Sequence, residues 1–170
     1  MLEGFVPFPP EFAATYRERG YWQDRSLAQE FAVVFGKFAS RTALIDGERS
    51  YTYADIDRLS DNLALNLLAL GLKPLDRVVP TLPNVAEFVI LYFALQKMGC
   101  IPIAALVTHR FGEINQFTKL SQATCAVYPP AFVSRARISV LRRSSSVSRP
   151  KIRASNCAWY WAKPAPANIP

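Results

Sequence analysis

The strongest constraint on what this 170-residue chain can fold into is an alternation that runs through its first 130 residues or so. Short apolar runs of strand length are separated by longer segments whose apolar residues recur at helical spacing. Pro9-Pro10 opens a short helix that Gly20 is placed to end. Ser26 and Gln29 form an S-x-x-Q capping box, and Leu27, Phe31, Val34, Phe35 and Phe38 follow as a stripe. Residues 42–45 read as a strand, Asp46-Gly47 as a tight turn, and residues 50–51 as the returning strand. Thr52 can cap the next helix, whose buried stripe is Ile56, Leu59, Leu63, Leu67 and Leu70 and whose end is Gly71. A strand is expected over 77–82. A helix capped by Asn84, with Glu87 at its third position, runs on to Lys97. A further strand over 101–106, a helix over 113–121 and a strand over 124–128 complete the series. Strands alternating with helices of ten or more residues imply an α/β protein with right-handed crossovers and a mostly parallel sheet. The almost continuously apolar run 101–106 suits a sheet covered on both faces.

The alternation stops after Pro129-Pro130, and the charge changes with it. Residues 1–130 hold 12 Lys/Arg against 13 Asp/Glu, whereas residues 131–170 hold 8 Lys/Arg and no acid. The formal charge of +7 therefore belongs to the last 40 residues, so it does not mark the ordered part as a nucleic-acid binder. In that tail Arg135, Arg137, Arg142, Arg143, Arg149 and Arg153 are mixed with seven serines, and Trp159-Tyr160-Trp161 precede a Pro/Ala-rich end. No helical or strand period persists there, which predicts a poorly ordered segment. Two regions are expected: an incomplete folded domain over 1–130 and a basic tail over 131–170.

Cys100, Cys125 and Cys157 are odd in number and show no C-x-x-C spacing, which argues against a disulfide scaffold or a zinc site. The start has no basic n-region followed by an apolar stretch, and the longest apolar run, 88–95, is far short of the roughly 20 residues that span a bilayer. A reduced, cytoplasmic setting and no membrane partner are the expectation.

The opening EGFVPFPPEFAATYRERGYWQDRSL resembles the start of stand-alone 2,3-dihydroxybenzoate–AMP ligases and their salicylate-activating relatives, aryl-acid members of the adenylate-forming AMP-binding superfamily. Two later stretches, RTALIDGERSYTYADIDRLSDNLALNLLALGLKPLDRVVPTLPNVAEFVILYFALQKMGCIPIAAL and THRFGEINQFTKLSQATCAVYP, are similar to the same family in the same order. The resemblance covers about residues 3–130. It implies the N-terminal domain of the adenylate-forming ligase fold, here partial. It also implies a parent enzyme of siderophore biosynthesis that forms an aryl adenylate from ATP, with Mg²⁺ offsetting phosphate charge, and loads the thiol of an aryl carrier protein. A phosphate loop, an aryl pocket, a ribose-binding acid and a catalytic lysine are the parts this needs. In the family they lie beyond the region matched here.

None of them is found in the sequence, and no catalytic, cofactor-binding or metal residue is assigned. The glycines at 4, 20, 36, 47, 71, 99 and 112 form neither G-x-G-x-x-G nor G-x-x-x-x-G-K-[ST]. The serine run 144–146 lacks a glycine, a preceding strand and a following helix, so it cannot cradle phosphate. Lys163 sits in the Pro/Ala-rich end. His109-Arg110 reads as a loop pair organising a strand end. Asp46 and Glu48 flank a turn, and Asp55, Asp57 and Asp61 read as a solvated helix face.

The tail has an explanation in the genetic code. Read one base out of frame, the codons of Trp159-Tyr160-Trp161-Ala162 spell Val-Leu-Gly, and the surrounding codons permit LRLVLGEA, a strand-and-turn pattern similar to the family at this point. The expectation is that residues 131–170 are an out-of-frame substitute for the native continuation. A genuine short non-catalytic protein with a nucleic-acid-binding tail is the alternative from another class, and a fragment of an acyl-CoA ligase is a nearer one.

Overall fold

Side-chain capping boxes start two of the helices that pack the interior. The computed structural model describes residues 6–128, so the reading of residues 131–170 as a poorly ordered tail lies outside the described residues. The elements are α1 (Pro10–Glu18), α2 (Leu27–Lys37), β1 (Thr42–Asp46), β2 (Arg49–Thr52) and α3 (Tyr53–Ala69), followed by β3 (Arg77–Pro80), α4 (Ala86–Lys97), β4 (Ile101–Pro102), α5 (Phe111–Leu120) and β5 (Cys125–Val127). At α2 the Ser26 hydroxyl accepts from the Gln29 amide at 3.3 Å, while the Gln29 side chain accepts from the Ser26 amide at 2.8 Å. At α3, Thr52 and Asp55 exchange the same pair of bonds at 3.1 and 3.0 Å. Both satisfy amides that a helix start otherwise leaves open.

β1 and β2 form an antiparallel hairpin around Gly47, whose φ of +59° is the left-handed conformation the turn requires. β3, β4 and β5 form a separate parallel sheet in the order β4-β3-β5. Its central strand is buried on both sides. Val78, 1 % exposed, joins a cluster with Leu67, Leu91, Ala94 and Leu95 from α3 and α4. Val79, 0 % exposed, faces Ile114 and Phe117 of α5. Successive strand side chains point to opposite faces, so one strand nucleates both layers. A third cluster joins α2 and the hairpin to α3 and α4 through Phe35, Ile56 and Ile90, with Phe31 and Phe93 in edge-to-face contact 4.8 Å apart.

The structure departs from the sequence expectations at four places. The α2 stripe is only half used: Phe35 is buried, but Leu27 and Val34 are exposed. The helix after β3 is capped not by Asn84 but from elsewhere in the chain. Its N-cap residue is Val85, and the Asp46 carboxylate accepts from the Ala86 amide at 3.0 Å. The 101–106 run is regular strand only at Ile101–Pro102. Its pairing along β3 continues through Ile103 N to Val78 O at 2.7 Å and Ala105 N to Pro80 O at 3.1 Å. α5 begins two residues before the expected start, since Glu113 reaches back to accept from the Arg110 amide at 2.7 Å.

The Thr81 residue is 3 % exposed, and its hydroxyl has no hydrogen-bond partner among the described residues. An orphaned buried hydroxyl costs about 1–3 kcal/mol. Thr81→Val keeps the shape and removes the polar atom, so it is expected to raise the free energy of opening around β3 by about 1 kcal/mol, read by hydrogen exchange at the Val79 amide.

Candidate functional site

Three groups of charged side chains in the described body are tied to structure, apart from the exposed pairs Arg17–Asp24 and Arg25–Glu30. The first joins the hairpin to α4. Arg49 forms a fork on Glu87, at 2.7 and 3.2 Å, and also pairs with Asp46, which in turn caps α4. The Ala86 amide, with Arg49 beside it, holds the Asp46 carboxyl below its ordinary value, and Arg49 does the same for Glu87. The second clamps α3 to α4. The Lys97 ammonium donates to Asp57 Oδ1 at 2.5 Å, to Asp61 Oδ1 at 2.7 Å and to the Asp57 carbonyl at 2.9 Å, so all three of its donors are taken. It also lies 5.5 Å from the Phe35 ring centroid. The carboxylates read from sequence as a solvated face therefore do more than face water: Asp55 caps α3, and Asp57 and Asp61 hold a lysine whose side chain is only 14 % exposed.

The third place is the loop after β4. His109 Nδ1 accepts from the Leu106 amide at 3.1 Å, and its ring stands edge-on to Phe117 at 5.0 Å. Arg110 supplies the N-cap of α5. The pair closes the strand end and starts the helix, which is the local role its spacing suggested. Glu113 is held below its ordinary pKa by the Arg110 amide.

Among the described residues these groups do not assemble into a cofactor site. No group of three His, Cys, Asp or Glu is placed to hold a metal ion. A Cβ built on Gly20, Gly36, Gly47 or Gly112 meets nothing within 4 Å, so none of them marks a backbone that a neighbouring group approaches closely. The set does not fit a nucleotide phosphate or Mg²⁺. The Cys100 thiol is not a nucleophile in waiting. Burial, with Asp76 nearby, pushes its pKa up to about 11, and it donates to the Lys73 carbonyl at 3.2 Å.

What the arrangement defines is an α/β body built on a doubly covered parallel strand over residues 6–128. Residues 31–166 match the family described as AMP-binding enzyme, a match that continues past the break in composition at residue 130. The chain belongs to this family. It is 47 % identical over 124 residues to triostin synthetase I of Streptomyces triostinicus, covering 72 % of this chain and 23 % of that protein. It is 36 % identical over 132 residues to the 2,3-dihydroxybenzoate-AMP ligase of Bacillus subtilis, covering 78 % of this chain and 24 % of the ligase. Among solved structures, the apo structure of Mycobacterium smegmatis MbtA superposes with a TM-score of 0.70 at 40 % identity, over 73 % of this chain and 24 % of that one. The resemblance to aryl-acid AMP ligases thus holds, and the chain spans about a quarter of the length of the relatives it matches. No helix among the described residues is long and apolar enough to cross a membrane.

Two measurements follow from the electrostatics. Asp46, Asp55 and Glu87 all have folded pKa values depressed below ordinary values of 3.8, 3.8 and 4.5. Their stabilisation is fully present above those ordinary values and is lost as pH falls through the folded ones. Amide protection of α4 is expected to hold from pH 7 to about 5 and to decline below about 4, with a shallower decline in Asp46→Asn. A pKa of about 11 against an ordinary 9.0 leaves Cys100 about a hundredfold less thiolate at pH 8, and it is 3 % exposed. Alkylation by iodoacetamide in the folded state is therefore expected to be at least that much slower than for a free thiol, and equal rates would contradict the burial.

Proposed function

We propose that this chain is the N-terminal part of an aryl-acid AMP ligase of siderophore biosynthesis and that it has no catalysis of its own. The parent enzyme would activate 2,3-dihydroxybenzoate or salicylate with ATP and Mg²⁺ as the aryl adenylate. It would then pass the aryl group to the phosphopantetheine thiol of a carrier protein, in the cytoplasm. The observation that carries this reading is the joint match to the 2,3-dihydroxybenzoate-AMP ligase of B. subtilis and to the M. smegmatis MbtA structure. Both matches take in about a quarter of the longer protein.

The absence of catalysis rests on which residues the chain supplies. Catalysis of adenylate formation needs donors aimed at the phosphates and a site that excludes water. The charges of the described body are committed instead to helix caps and interhelical pairs: Asp46 and Asp55 to helix starts, Lys97 to Asp57 and Asp61. In the proposed reading the folded family segment is 1–130, and 131–170 is an out-of-frame replacement for the native continuation. The sharp change from balanced charge to 8 Lys/Arg without an acid supports that boundary.

Resequencing the locus through codon 130 and about a kilobase beyond tests the reading. Ligase motifs continuing in another frame are expected. A clean stop with no ligase sequence downstream would overturn it.

A further inference from the structure

The parallel sheet is open, and its two outer strands are not equivalent. β3 has a neighbour on each side, whereas β4 and β5 each pair with β3 alone among the described residues. The chain leaves β3, returns as β4 on one side by way of α4, then crosses to the other side as β5 by way of α5. α4 packs on the Val78 face and α5 on the Val79 face, so the direction of winding reverses at β3. Continuing the sheet beyond β5 in the same sense places the next right-handed crossover on the α5 face.

That face has room for it. Among the described residues its buried members are Val79, Ala105, Ile114 and Ala123, under α5, while the opposite face lies under α3 and α4. Leu106, Phe111 and Leu120, on or beside α5, are 65 %, 60 % and 76 % exposed. A parallel strand is stable when both its faces are covered. The edge itself is aligned for pairing. The Val127 carbonyl accepts from the Thr81 amide at 2.9 Å, toward β3. Backbone groups alternate along a strand, which turns the Ala126 amide and carbonyl to the far edge.

We propose that the β5 edge and the α5 face beside it are the seat for a parallel strand and crossover helix from the remaining part of an AMP-binding ligase, and that this seat accepts that part as a separate polypeptide. The proposal rests on the fragment reading above, since this chain corresponds to 24 % of the MbtA chain it superposes on. A second copy of this chain fits the seat poorly. A two-fold contact would pair two three-residue strands antiparallel, with few hydrogen bonds, and would supply no crossover helix.

The full chain is refolded from denaturant alone and with an equimolar polypeptide made of the part of M. smegmatis MbtA that follows its matched segment. A 1:1 complex by analytical ultracentrifugation is expected, with hydrogen exchange at the Ala126 amide slowed at least tenfold. Ala126→Pro removes that donor and is expected to weaken the complex at least tenfold, while Ile45→Glu, on the exposed hairpin, leaves it unchanged. Should the proline variant fail to fold, exchange in the unsubstituted chain decides alone. The proposal is overturned by no complex, by a complex that leaves Ala126 unprotected, by a homodimer that protects it, or by full protection of Ala126 in the chain alone. The functional reading falls separately, on the nucleotide sequence downstream of codon 130, whatever the complex does.

Discussion

The described body depends on β3 being buried from both sides. Val78 and Val79 are neighbours in sequence and belong to different clusters, so a single extended step joins the α3–α4 layer to the α5 layer. The cost of burying a strand is that every backbone group must be paired, and here the partners come from β4 on one side and β5 on the other. The pairing to β4 runs on past Pro102 because Ile101, Ile103 and Ala105 donate toward β3, while the proline's missing amide falls on the outer edge.

The second constraint is electrostatic and links parts distant in sequence. Asp46, at the hairpin turn, caps a helix that begins forty residues later and shares Arg49 with Glu87 of that helix. Lys97, at the other end of the same helix, is held by Asp57 and Asp61 of α3. α4 is thus pinned at both ends by charges from other elements, and its largely apolar length fills the space between. That commitment ties Asp46, Arg49, Glu87, Asp57, Asp61 and Lys97 to the placing of α4.

Much of this was legible from sequence where the cause is local. The Ser26–Gln29 box, the Thr52 cap, the Asp46-Gly47 turn and the stripe from Ile56 to Leu70 are signals contained within a few residues, and the structure has the box, the cap and the turn and buries Ile56 and Leu67 of the stripe. What sequence reading missed is what arrives from far away. Asn84 looked like the cap of α4 because it is a good capping residue in the right place, but Asp46, unreadable as a cap from the local sequence, takes the Ala86 amide. Asp57 and Asp61 looked solvated because their partner lies 40 and 36 residues on. Leu27 and Val34 fit a helical stripe, yet α2 has too few neighbours to cover its whole face. The family itself was legible in the opening signature and in the two later stretches, and the match to AMP-binding enzymes bears that out.

In the proposed reading this chain is one part of an adenylating enzyme whose chemistry lies elsewhere. Exchange of radiolabelled pyrophosphate into ATP, measured with the purified 170-residue chain and either 2,3-dihydroxybenzoate or salicylate, tests it most directly. The expected rate is indistinguishable from that of the same mixture without aryl acid. Exchange that depends on the aryl acid and scales with chain concentration would contradict it.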